Sequence, residues 1–212
     1  MDHEFWLQRW REGRIGFHQR DVSPLLKKHW PTLGLAQESR VFVPLAGKSN
    51  DMLWLAAQGH RVLAVELSPL AVEQFMAEHD LVPKVHSSSQ GTHYLAGSIE
   101  LICGDVFKVD AALLAECAAI YDRAALVALP PEMRGSYVQQ VYGKLPPGCR
   151  GLLIALEYPQ QLRNGPPFSV QKSEVRERLE PRWQVELLER ITPTVDEFAA
   201  STVYRLQHAG NA

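Results

Sequence analysis

At 212 residues, with 46% hydrophobic and 22% charged side chains, the chain has the size and composition of one globular domain, so we predict a single domain over residues 1–212. The net charge of -2 supplies no basic face for a polyanion, and no apolar run approaches the roughly 20 residues that span a bilayer; nucleic-acid binding and membrane insertion are therefore excluded. The three cysteines are odd in number, widely spaced and form no CxxC pair, which is typical of buried thiols in a reducing compartment and predicts a cytoplasmic location.

The first predicted element is an amphipathic helix at the start of the stretch EFWLQRWREGRIGFHQRDVSPLL, followed by a loop punctuated by glycines. Phe5, Trp6 and Trp10 cluster on this helix, and Trp6 and Trp10 lie one turn apart on the same face. Two interpretations stay open: the rings dock the helix on the core, which is the common role of an aromatic stripe, or they cover a ligand. We assign residues 1–30 to an N-terminal helix and lid segment.

Strand-like runs alternate with helical patterns from residue 40 onwards, over a predicted sheet core at 40–208. An apolar strand at Arg40–Pro44 precedes a helix at about Ser49–Gln58. A second strand at Arg61–Val65 precedes a helix that Ser68 caps, with Pro69 in its first turn. The same pattern predicts strands at Ile99–Asp105, Ala118–Arg123 and Gly151–Tyr158, and helices at Ala111–Cys117 and Glu132–Leu145. Short apolar strands that alternate with helices predict an α/β fold, with a parallel sheet covered by helices on both faces.

Two stretches depart from this alternation. The polar sequence HSSSQG, at His86–Gly91, predicts a surface loop. Near the C-terminus, WQVELLERITP and STVYRLQ are strand-like runs joined by a short polar loop, which predicts an antiparallel hairpin at one edge of the sheet.

The sequence after the first strand predicts the ligand site. Gly47-Lys48-Ser49 is similar to the tail of a phosphate-binding P-loop, but Phe42 occupies the position of the second glycine, so a nucleoside triphosphate is not expected. Open α/β sheets bind ligands beyond the carboxyl ends of their strands, which is where the turn at 44–47 falls. Glu66 follows nineteen positions after Gly47, at the end of the second strand, where a carboxylate typically accepts the hydroxyls of an adenosine ribose.

The character of the turn favours an adenosine ligand without a pyrophosphate. Pro44 and Ala46 replace the early glycines of the dinucleotide fingerprint, so the backbone cannot approach a pyrophosphate closely. S-adenosylmethionine fits this description. Asp105, or the backbone of Val106, is placed to meet the adenine, although an Asp there is often a helix cap and a Glu after a strand is often a solvated turn residue. Aromatic faces in the N-terminal segment attract a sulfonium by about 0.5–2 kcal/mol.

Five blocks of the sequence resemble the thiopurine S-methyltransferase family of class I methyltransferases, from about Phe5 to Tyr204. They are FWLQRWREGRIGFHQ, VFVPLAGKSNDMLWLAAQGHRVLAVELS, CGDVF, YDRAALVALPPEMRGSYVQ and GPPFSV. The resemblance implies a Rossmann-like class I methyltransferase fold, with a seven-stranded, mostly parallel sheet whose last strands form the C-terminal antiparallel hairpin. Bacterial members that resemble this chain are associated with methylation of selenium and tellurium compounds and with tellurite resistance. The stretch VHSSSQGTHYLAGS is less typical of the family.

The resemblance also implies site residues and an activity. It implies an S-adenosylmethionine site that is lined by Trp10, Leu45, Glu66 and Arg123, with Phe17 beside the cofactor, Asp105 and Val106 near the adenine, and Trp6 and Gly47 as further candidates. It places Arg123 near both cofactor and acceptor, and the GPPFSV loop beside the acceptor pocket. The expected activity is S-methylation of an aromatic or heterocyclic thiol such as a thiopurine, with selenols and metalloid compounds as further acceptors.

Arg123 is the predicted catalytic residue. Aromatic thiols and selenols lose protons readily, so a cation that holds the resulting anion suffices and no dedicated base is required. The competing interpretation is a surface ion pair of Arg123 with Asp122 or Glu157. His18, next to Phe17, either orients an acceptor or caps a backbone group.

Other possibilities stay open. A nicotinamide-dependent oxidoreductase on the same fold, and a non-catalytic protein that binds a metalloid or a nucleoside, are the alternative functions. His79, His86 and His93 recur every seven positions without an HExxH motif or a cysteine partner, so no metal site is expected. We expect a monomer, because no apolar helix face is left unexplained.

Overall fold

The computed structural model describes residues 3–180, 182–192 and 199–210. The strands of this part of the chain are β1 Arg40–Val43, β2 Arg61–Glu66, β3 Lys84–Ser88, β4 Gly91–Ala96, β5 Ile99–Cys103, β6 Cys117–Arg123, β7 Arg150–Glu157, β8 Trp183–Ile191 and β9 Ala200–His208. Its α-helices are α1 His3–Arg11, α2 Pro24–His29, α3 Asp51–Ala57, α4 Pro69–Glu78, α5 Ala111–Leu114, α6 Pro131–Gln140 and α7 Lys172–Leu179.

All the strands within the described residues belong to one nine-stranded sheet with the order β3-β4-β5-β2-β1-β6-β7-β9-β8. The five central strands, from β5 to β7, pair in parallel. β9 pairs antiparallel with both β7 and β8, so the predicted C-terminal hairpin is confirmed. The loop predicted within this hairpin falls at 193–198, outside the described residues.

The predicted strand count of seven is wrong, because β3 and β4 form an additional antiparallel hairpin beside β5. The stretch predicted as a surface loop, His86–Gly91, contributes to both strands. β3, with the sequence KVHSS, is exposed along its whole length and lies at the sheet edge, where a short and mostly polar strand is tolerated. His93 of β4 connects the hairpin to β5. The residue is 4% exposed, and its ring nitrogens lie 2.7 Å from Ser88 Oγ and from Glu100 Oε1.

Two layers of apolar side chains cover the sheet. Because successive residues of a strand face opposite sides, Phe42 of β1 points into one buried cluster while Val41 and Val43 point into the other. Residues of α6 and α7 pack in the first cluster, and residues of α2, α3 and α4 pack in the second. The predicted arrangement of helices on both faces is therefore confirmed.

Element ends differ from the predictions where a side chain or a strand intervenes. β5 ends at Cys103 rather than at Asp105, because Asp105 Oδ1 accepts the Phe107 backbone N–H at 3.0 Å and starts a 3-10 turn. The helix predicted to reach Cys117 ends at Leu114, since Cys117 is the first residue of β6 and pairs with Arg40 of β1. The helix predicted to reach residue 145 ends at residue 140 and is followed by a 3-10 turn.

Within the ranges 3–180, 182–192 and 199–210, no helix combines the length and the apolar composition that crossing a bilayer requires. The organisation of residues 1–212 as one domain stays a prediction.

Candidate active site

The predicted site residues follow strands whose carboxyl ends meet at one edge of the sheet. Leu45 and Gly47 follow β1, Glu66 ends β2, Asp105 follows β5 and Arg123 ends β6. These four strands are neighbours and run in parallel. Residues from four separate parts of the sequence are thereby brought to a single edge, which we call the carboxyl edge.

Glu66 is held at this edge by backbone donors. Glu66 is 6% exposed. Its Oε2 accepts the Gly47 N–H and its Oε1 accepts the Ser68 N–H, each at 2.8 Å. Burial raises the pKa of Glu66, and the hydrogen bonds from the backbone oppose that rise. A carboxylate has about four lone-pair positions, so each oxygen can still accept one more hydrogen bond. The arrangement fits a pair of hydroxyl donors such as those of a ribose.

The turn between β1 and α3 adopts a sparsely populated backbone conformation. Leu45 has a φ of 47°, in the left-handed region that side chains with a Cβ rarely adopt. Gly47 also has a positive φ, of 55°, and a Cβ added there would lie 3.4 Å from the Trp10 ring. The Ala46 N–H anchors the turn by donating to the Val65 carbonyl at 2.9 Å. Strain of this kind is concentrated at ligand sites, where the surrounding structure maintains it.

Helix α1 lies across the carboxyl edge. Trp10 is 4% exposed and packs against Gly47, while His3 Nε2 lies 3.4 Å from Asp105 Oδ2 at the far end of the helix. The Phe17 ring meets Trp10 and Trp6 edge to face, with centroid separations of 5.6 and 5.8 Å. The same rings thus dock the N-terminal segment and cover the edge, so the two interpretations of the aromatic stripe are compatible.

The structure restricts what Asp105 and Val106 can offer a ligand. One carboxylate oxygen of Asp105 already caps the 3-10 turn that begins at Val106. Val106 is 1% exposed and its side chain packs in the core. What remains for an adenine is the backbone of this turn and the second oxygen of Asp105.

Arg123 makes an ion pair, but with neither of the partners that the competing interpretation named. Its Nη1 donates to Asp51 Oδ2 at 2.8 Å, so the competing interpretation, a surface pair with Asp122 or Glu157, is wrong. Asp122 and Arg123 are consecutive residues of a strand and therefore point to opposite faces of the sheet. Asp122 is completely buried among tyrosine hydroxyls, and Glu157 pairs with Arg190.

Asp51 is a site residue that sequence reasoning missed. It is 1% exposed and also accepts hydrogen bonds from the Tyr121 hydroxyl and the Ser23 backbone N–H, both at 2.8 Å. The available signal was an acidic residue four positions after Gly47, at the start of a predicted helix. That position has an equally ordinary explanation as a favourable charge in a first helical turn, so the pattern alone does not identify the pair.

The lysine of the GKS sequence has a structural partner. Lys48 is 8% exposed and its Nζ donates to Glu78 Oε1 at 2.6 Å, which ties the turn to α4. His18 lies in the same surroundings: partial burial lowers the pKa of His18, and the positive charges of Lys48 and Arg123 lower it further, against the opposing effect of Glu78. The lowered pKa favours the neutral form of the His18 imidazole.

A cleft of about 400 Å³ opens between the N-terminal helix and the loop that follows β7. Phe5 and Trp6 line one wall, and Gly165 and Phe168 of the GPPFSV stretch line the other. The Phe168 N–H donates to the Val127 carbonyl at 2.7 Å, which holds this loop beside the segment that follows β6. A mostly apolar cleft of this size suits a small aromatic ligand.

The three regularly spaced histidines serve other contacts. The rings of His86 and His93 stack with a centroid separation of 4.5 Å across the β3–β4 hairpin, and His79 packs against Phe75. Among the described residues, no group of three or more His, Cys, Asp or Glu side chains is arranged to hold a metal ion.

The comparisons of this chain with a family profile and with named relatives agree on one family. The profile of the family described as thiopurine S-methyltransferase matches residues 1–209. A protein named thiopurine S-methyltransferase from Nitrosomonas eutropha is 60% identical, over 98% of this chain and 98% of its own length. Another of the same name, from Bordetella pertussis, is 60% identical over 90% of this chain and 87% of its own length.

Solved structures share the fold at low sequence identity. The 1,6-didemethyltoxoflavin-N1-methyltransferase of Burkholderia thailandensis, solved with S-adenosylhomocysteine, superposes with a TM-score of 0.69 at 18% identity, covering 98% of this chain and 87% of that one. An S-adenosylmethionine-dependent methyltransferase from Anabaena variabilis gives 0.67 at 15% identity, covering 97% and 94%. These likenesses confirm the predicted Rossmann-like class I methyltransferase fold. Together with the match over residues 1–209, the 60% identity to named relatives shows that the chain belongs to the thiopurine S-methyltransferase family.

Proposed function

We propose that this chain transfers the methyl group of S-adenosylmethionine to the sulfur of an aromatic or heterocyclic thiol of the thiopurine class. Family membership supports the reaction class, and it removes the basis for a nicotinamide-dependent oxidoreductase or a non-catalytic binding protein. The observation that carries the site is the arrangement at the carboxyl edge, where the buried carboxylate of Glu66 accepts the Gly47 N–H, the Trp10 ring packs against Gly47, and Arg123 ends β6 at the same edge.

The residues at this edge fit the donor. When bound, S-adenosylmethionine would supply an electrophilic methyl carbon on a sulfonium sulfur, so that in-line attack on this carbon by the acceptor sulfur would release S-adenosylhomocysteine. Glu66 would accept the two ribose hydroxyls with its remaining lone pairs. Trp10 and Phe17 would offer their ring faces to the cationic end of the donor. Leu45, Gly47 and Trp6 would line the site, while Asp105 and the backbone of Val106 would meet the adenine.

The acceptor would bind in the neighbouring cleft. Phe5, Trp6 and Phe168 would enclose its ring and exclude water, so the protein would gain rate chiefly by alignment of the reacting atoms. Arg123 would stabilise the negative charge of the thiolate through a guanidinium that cannot itself accept a proton at neutral pH. An aromatic thiol ionises readily, and the mechanism therefore assigns no dedicated base.

The test is an acceptor assay with labelled S-adenosylmethionine and 6-mercaptopurine. We expect the thiol to become labelled and S-adenosylhomocysteine to be released in equal amount. Arg123→Ala should lower kcat/KM for the thiol about 10- to 100-fold, the range expected for the loss of one charge-assisted hydrogen bond, with a smaller loss of affinity for S-adenosylhomocysteine because Arg123 also lines the donor site. Binding of the donor without turnover on any thiol would contradict the proposal. A melting-temperature shift with NADPH but none with S-adenosylhomocysteine would restore the oxidoreductase alternative.

Selenium and tellurium compounds are the second proposed class of acceptors. A selenol is a softer and more acidic nucleophile than the corresponding thiol, so the same cleft and the same cation would serve it. The assay should include an aromatic selenol, selenite and tellurite beside the thiols. Labelling of thiols alone would restrict the proposal to sulfur.

We also propose that the protein works as a monomer in the cytoplasm. Cys103, Cys117 and Cys149 are free thiols, as expected in a reducing compartment, and burial raises the pKa of Cys117 to about 12, so this thiol stays protonated and inert. Gel filtration with light scattering checks the monomer, and fractionation of cells that produce the protein checks the location.

A further inference from the structure

Asp51 connects the N-terminal segment to the strand that carries Arg123. Its Oδ1 accepts the Ser23 N–H at 2.8 Å, and Ser23 immediately precedes α2. Its Oδ2 accepts from the Tyr121 hydroxyl and from Arg123 Nη1, both of them on β6, again at 2.8 Å. One buried side chain of α3 therefore bonds to the start of α2 and to β6, and each of its oxygens is used.

The residue before Asp51 adds a second connection to the same segment. Asn50 Nδ2 donates to the Arg20 carbonyl at 2.5 Å. Arg20 and Ser23 directly follow the stretch that contains Phe17, whose ring packs on Trp10. The N-terminal segment is thus fastened at two points by the start of α3, next to the place where its aromatic rings cover the carboxyl edge.

Arg123 keeps donors for a ligand while it binds Asp51. A guanidinium carries five N–H donors in a planar fork, and the contact with Asp51 uses Nη1. The Arg123 side chain is 16% exposed, whereas that of Asp51 is 1% exposed. Asp51 is therefore the buried member of the pair, while the Arg123 side chain remains partly accessible to a ligand.

We propose that Asp51 is a positioning residue, which aims the Arg123 guanidinium at the acceptor anion and fastens the N-terminal segment over the same edge. This inference rests on the proposed placement of Arg123 beside the acceptor. It goes beyond that placement, because it makes the closure of the N-terminal segment and the orientation of the arginine depend on one carboxylate.

Asparagine cannot replace this carboxylate. An amide offers one acceptor oxygen and one NH₂ donor. At position 51 the NH₂ group must face either the Ser23 N–H or Arg123 Nη1, and both of these are donors. Asp51→Asn therefore breaks one of the two connections. Asp51→Glu keeps the charge and both acceptors but moves them by one methylene.

The protein offers a matched control at the opposite edge of the sheet. Arg40 begins β1, and its Nη2 lies 2.7 Å from Glu100 Oε2. The Arg40 side chain is 16% exposed, the same as that of Arg123. Glu100→Gln therefore removes the acidic partner of an equally exposed arginine, and also alters the contact of Glu100 with His93, far from the carboxyl edge.

The experiment measures KM and kcat for 6-mercaptopurine and the calorimetric Kd for S-adenosylhomocysteine in Asp51→Asn, Asp51→Glu, Arg123→Ala and Glu100→Gln. We expect Asp51→Asn to raise the acceptor KM or lower kcat so that kcat/KM falls about 10- to 100-fold, while the Kd for S-adenosylhomocysteine weakens by a smaller factor because the N-terminal segment also covers the donor site. Asp51→Glu should fall between wild type and Asp51→Asn, with a loss of about tenfold, because a displacement near 1 Å is costly for alignment. It also serves as the decisive variant if Asp51→Asn does not fold. Trypsin should cleave after Arg14 or Arg20 faster in Asp51→Asn than in Glu100→Gln.

The possible failures are distinguishable. If Arg123→Ala impairs the acceptor reaction while neither Asp51 variant does, the positioning role is refuted and the proposed site survives. If Asp51→Asn and Glu100→Gln reduce kcat/KM equally, Asp51 is only a structural ion-pair partner. If Arg123→Ala leaves the acceptor kinetics unchanged, both the placement of Arg123 and the role of Asp51 are overturned.

Discussion

Two buried carboxylates, Asp122 and Glu66, show how the core of this protein differs from its carboxyl edge. Burial raises the pKa of both, and hydrogen bonds to the charged form oppose the rise in both. Asp122 accepts from the Leu126 N–H and from the hydroxyls of Tyr137 and Tyr142, at 2.8–3.0 Å, with donors on two sides. Glu66 accepts from two backbone N–H groups of neighbouring turns.

The difference lies in where the donors come from. The three donors to Asp122 belong to elements that pack in the core, so the hydrogen bonds of Asp122 stabilise the fold. The donors to Glu66 belong to the turns that follow β1 and β2, so its hydrogen bonds fix its two oxygens at the carboxyl edge itself. A core carboxylate is therefore expected to matter for stability, and an edge carboxylate for binding.

The largest effect should come from Asp122→Ala. This change leaves two buried hydroxyls and one buried N–H without their acceptor, so the free energy of unfolding should drop by about 3 kcal/mol or more. Denaturant titration measures it. The protein that remains folded should bind S-adenosylhomocysteine as wild type does. If the free energy of binding decreased by more than the free energy of unfolding, Asp122 and Glu66 would not differ in the way described.

Glu66→Gln should give the opposite pattern. The amide loses the charge and turns an NH₂ group towards a backbone N–H or a ribose hydroxyl, so the affinity for S-adenosylhomocysteine should fall about 10- to 100-fold. The free energy of unfolding should change by only about 1 kcal/mol. Calorimetry and denaturant titration on the same preparation check both numbers, and unchanged affinity would remove Glu66 from the proposed site.

A third substitution tests the acceptor cleft separately from the donor site. A Cβ at Gly165 would lie 2.4 Å from a carbon of the Phe168 ring, and the φ of Gly165 is 71°. Gly165→Ala should displace the ring and lower kcat/KM for the thiol about tenfold, without an effect on S-adenosylhomocysteine. Gly97 has a similar φ of 59° but nothing within 4 Å of an added Cβ, so Gly97→Ala reproduces the backbone strain without the collision. Equal losses in the two variants would exclude a role for the cleft wall.

The smallest effect is the dependence on pH. Because the pKa of Glu66 is raised in the folded protein, this group protonates at a higher pH than an ordinary glutamate as the solution is acidified. The affinity for S-adenosylhomocysteine should therefore weaken from a pH above 4.5 downwards, and less so in Glu66→Gln. For stability the sign is opposite, because the pKa values of Glu66 and Asp122 are higher in the folded protein than in the unfolded chain. Their contributions to the free energy of unfolding therefore decrease as the pH rises from the unfolded-state pKa to the folded-state pKa. Calorimetry across pH, with the variant as reference, separates this titration from that of other groups.

The sequence was most informative where a local pattern has one structural meaning. Short apolar runs that alternate with helices predicted the parallel core, and the distance from Gly47 to Glu66 predicted two residues that now share a hydrogen bond. It was least informative where a pattern has two meanings. The polar residues at 86–88 suit an exposed edge strand as well as a loop, which is why this end of β3 was predicted as part of a surface loop.

The ion pair of Arg123 illustrates what local patterns cannot supply. Asp51 lies 72 positions before Arg123 in the sequence, and nothing in either neighbourhood selects it over Asp122, the adjacent acid. The choice is made by the alternation of side chains along β6 and by the packing of α3 on one face of the sheet. Partners of this kind follow from the fold rather than from spacing.

The central claim is that an adenosine-bearing methyl donor binds at the carboxyl edge, with its ribose on Glu66 and the aromatic rings of the N-terminal segment above it. A crystal structure with S-adenosylhomocysteine tests this most directly. We expect both ribose hydroxyls within about 2.5–3.0 Å of the Glu66 carboxylate oxygens, the usual range for such hydrogen bonds. A ribose bound away from Glu66, at any other position on the protein, would contradict the claim.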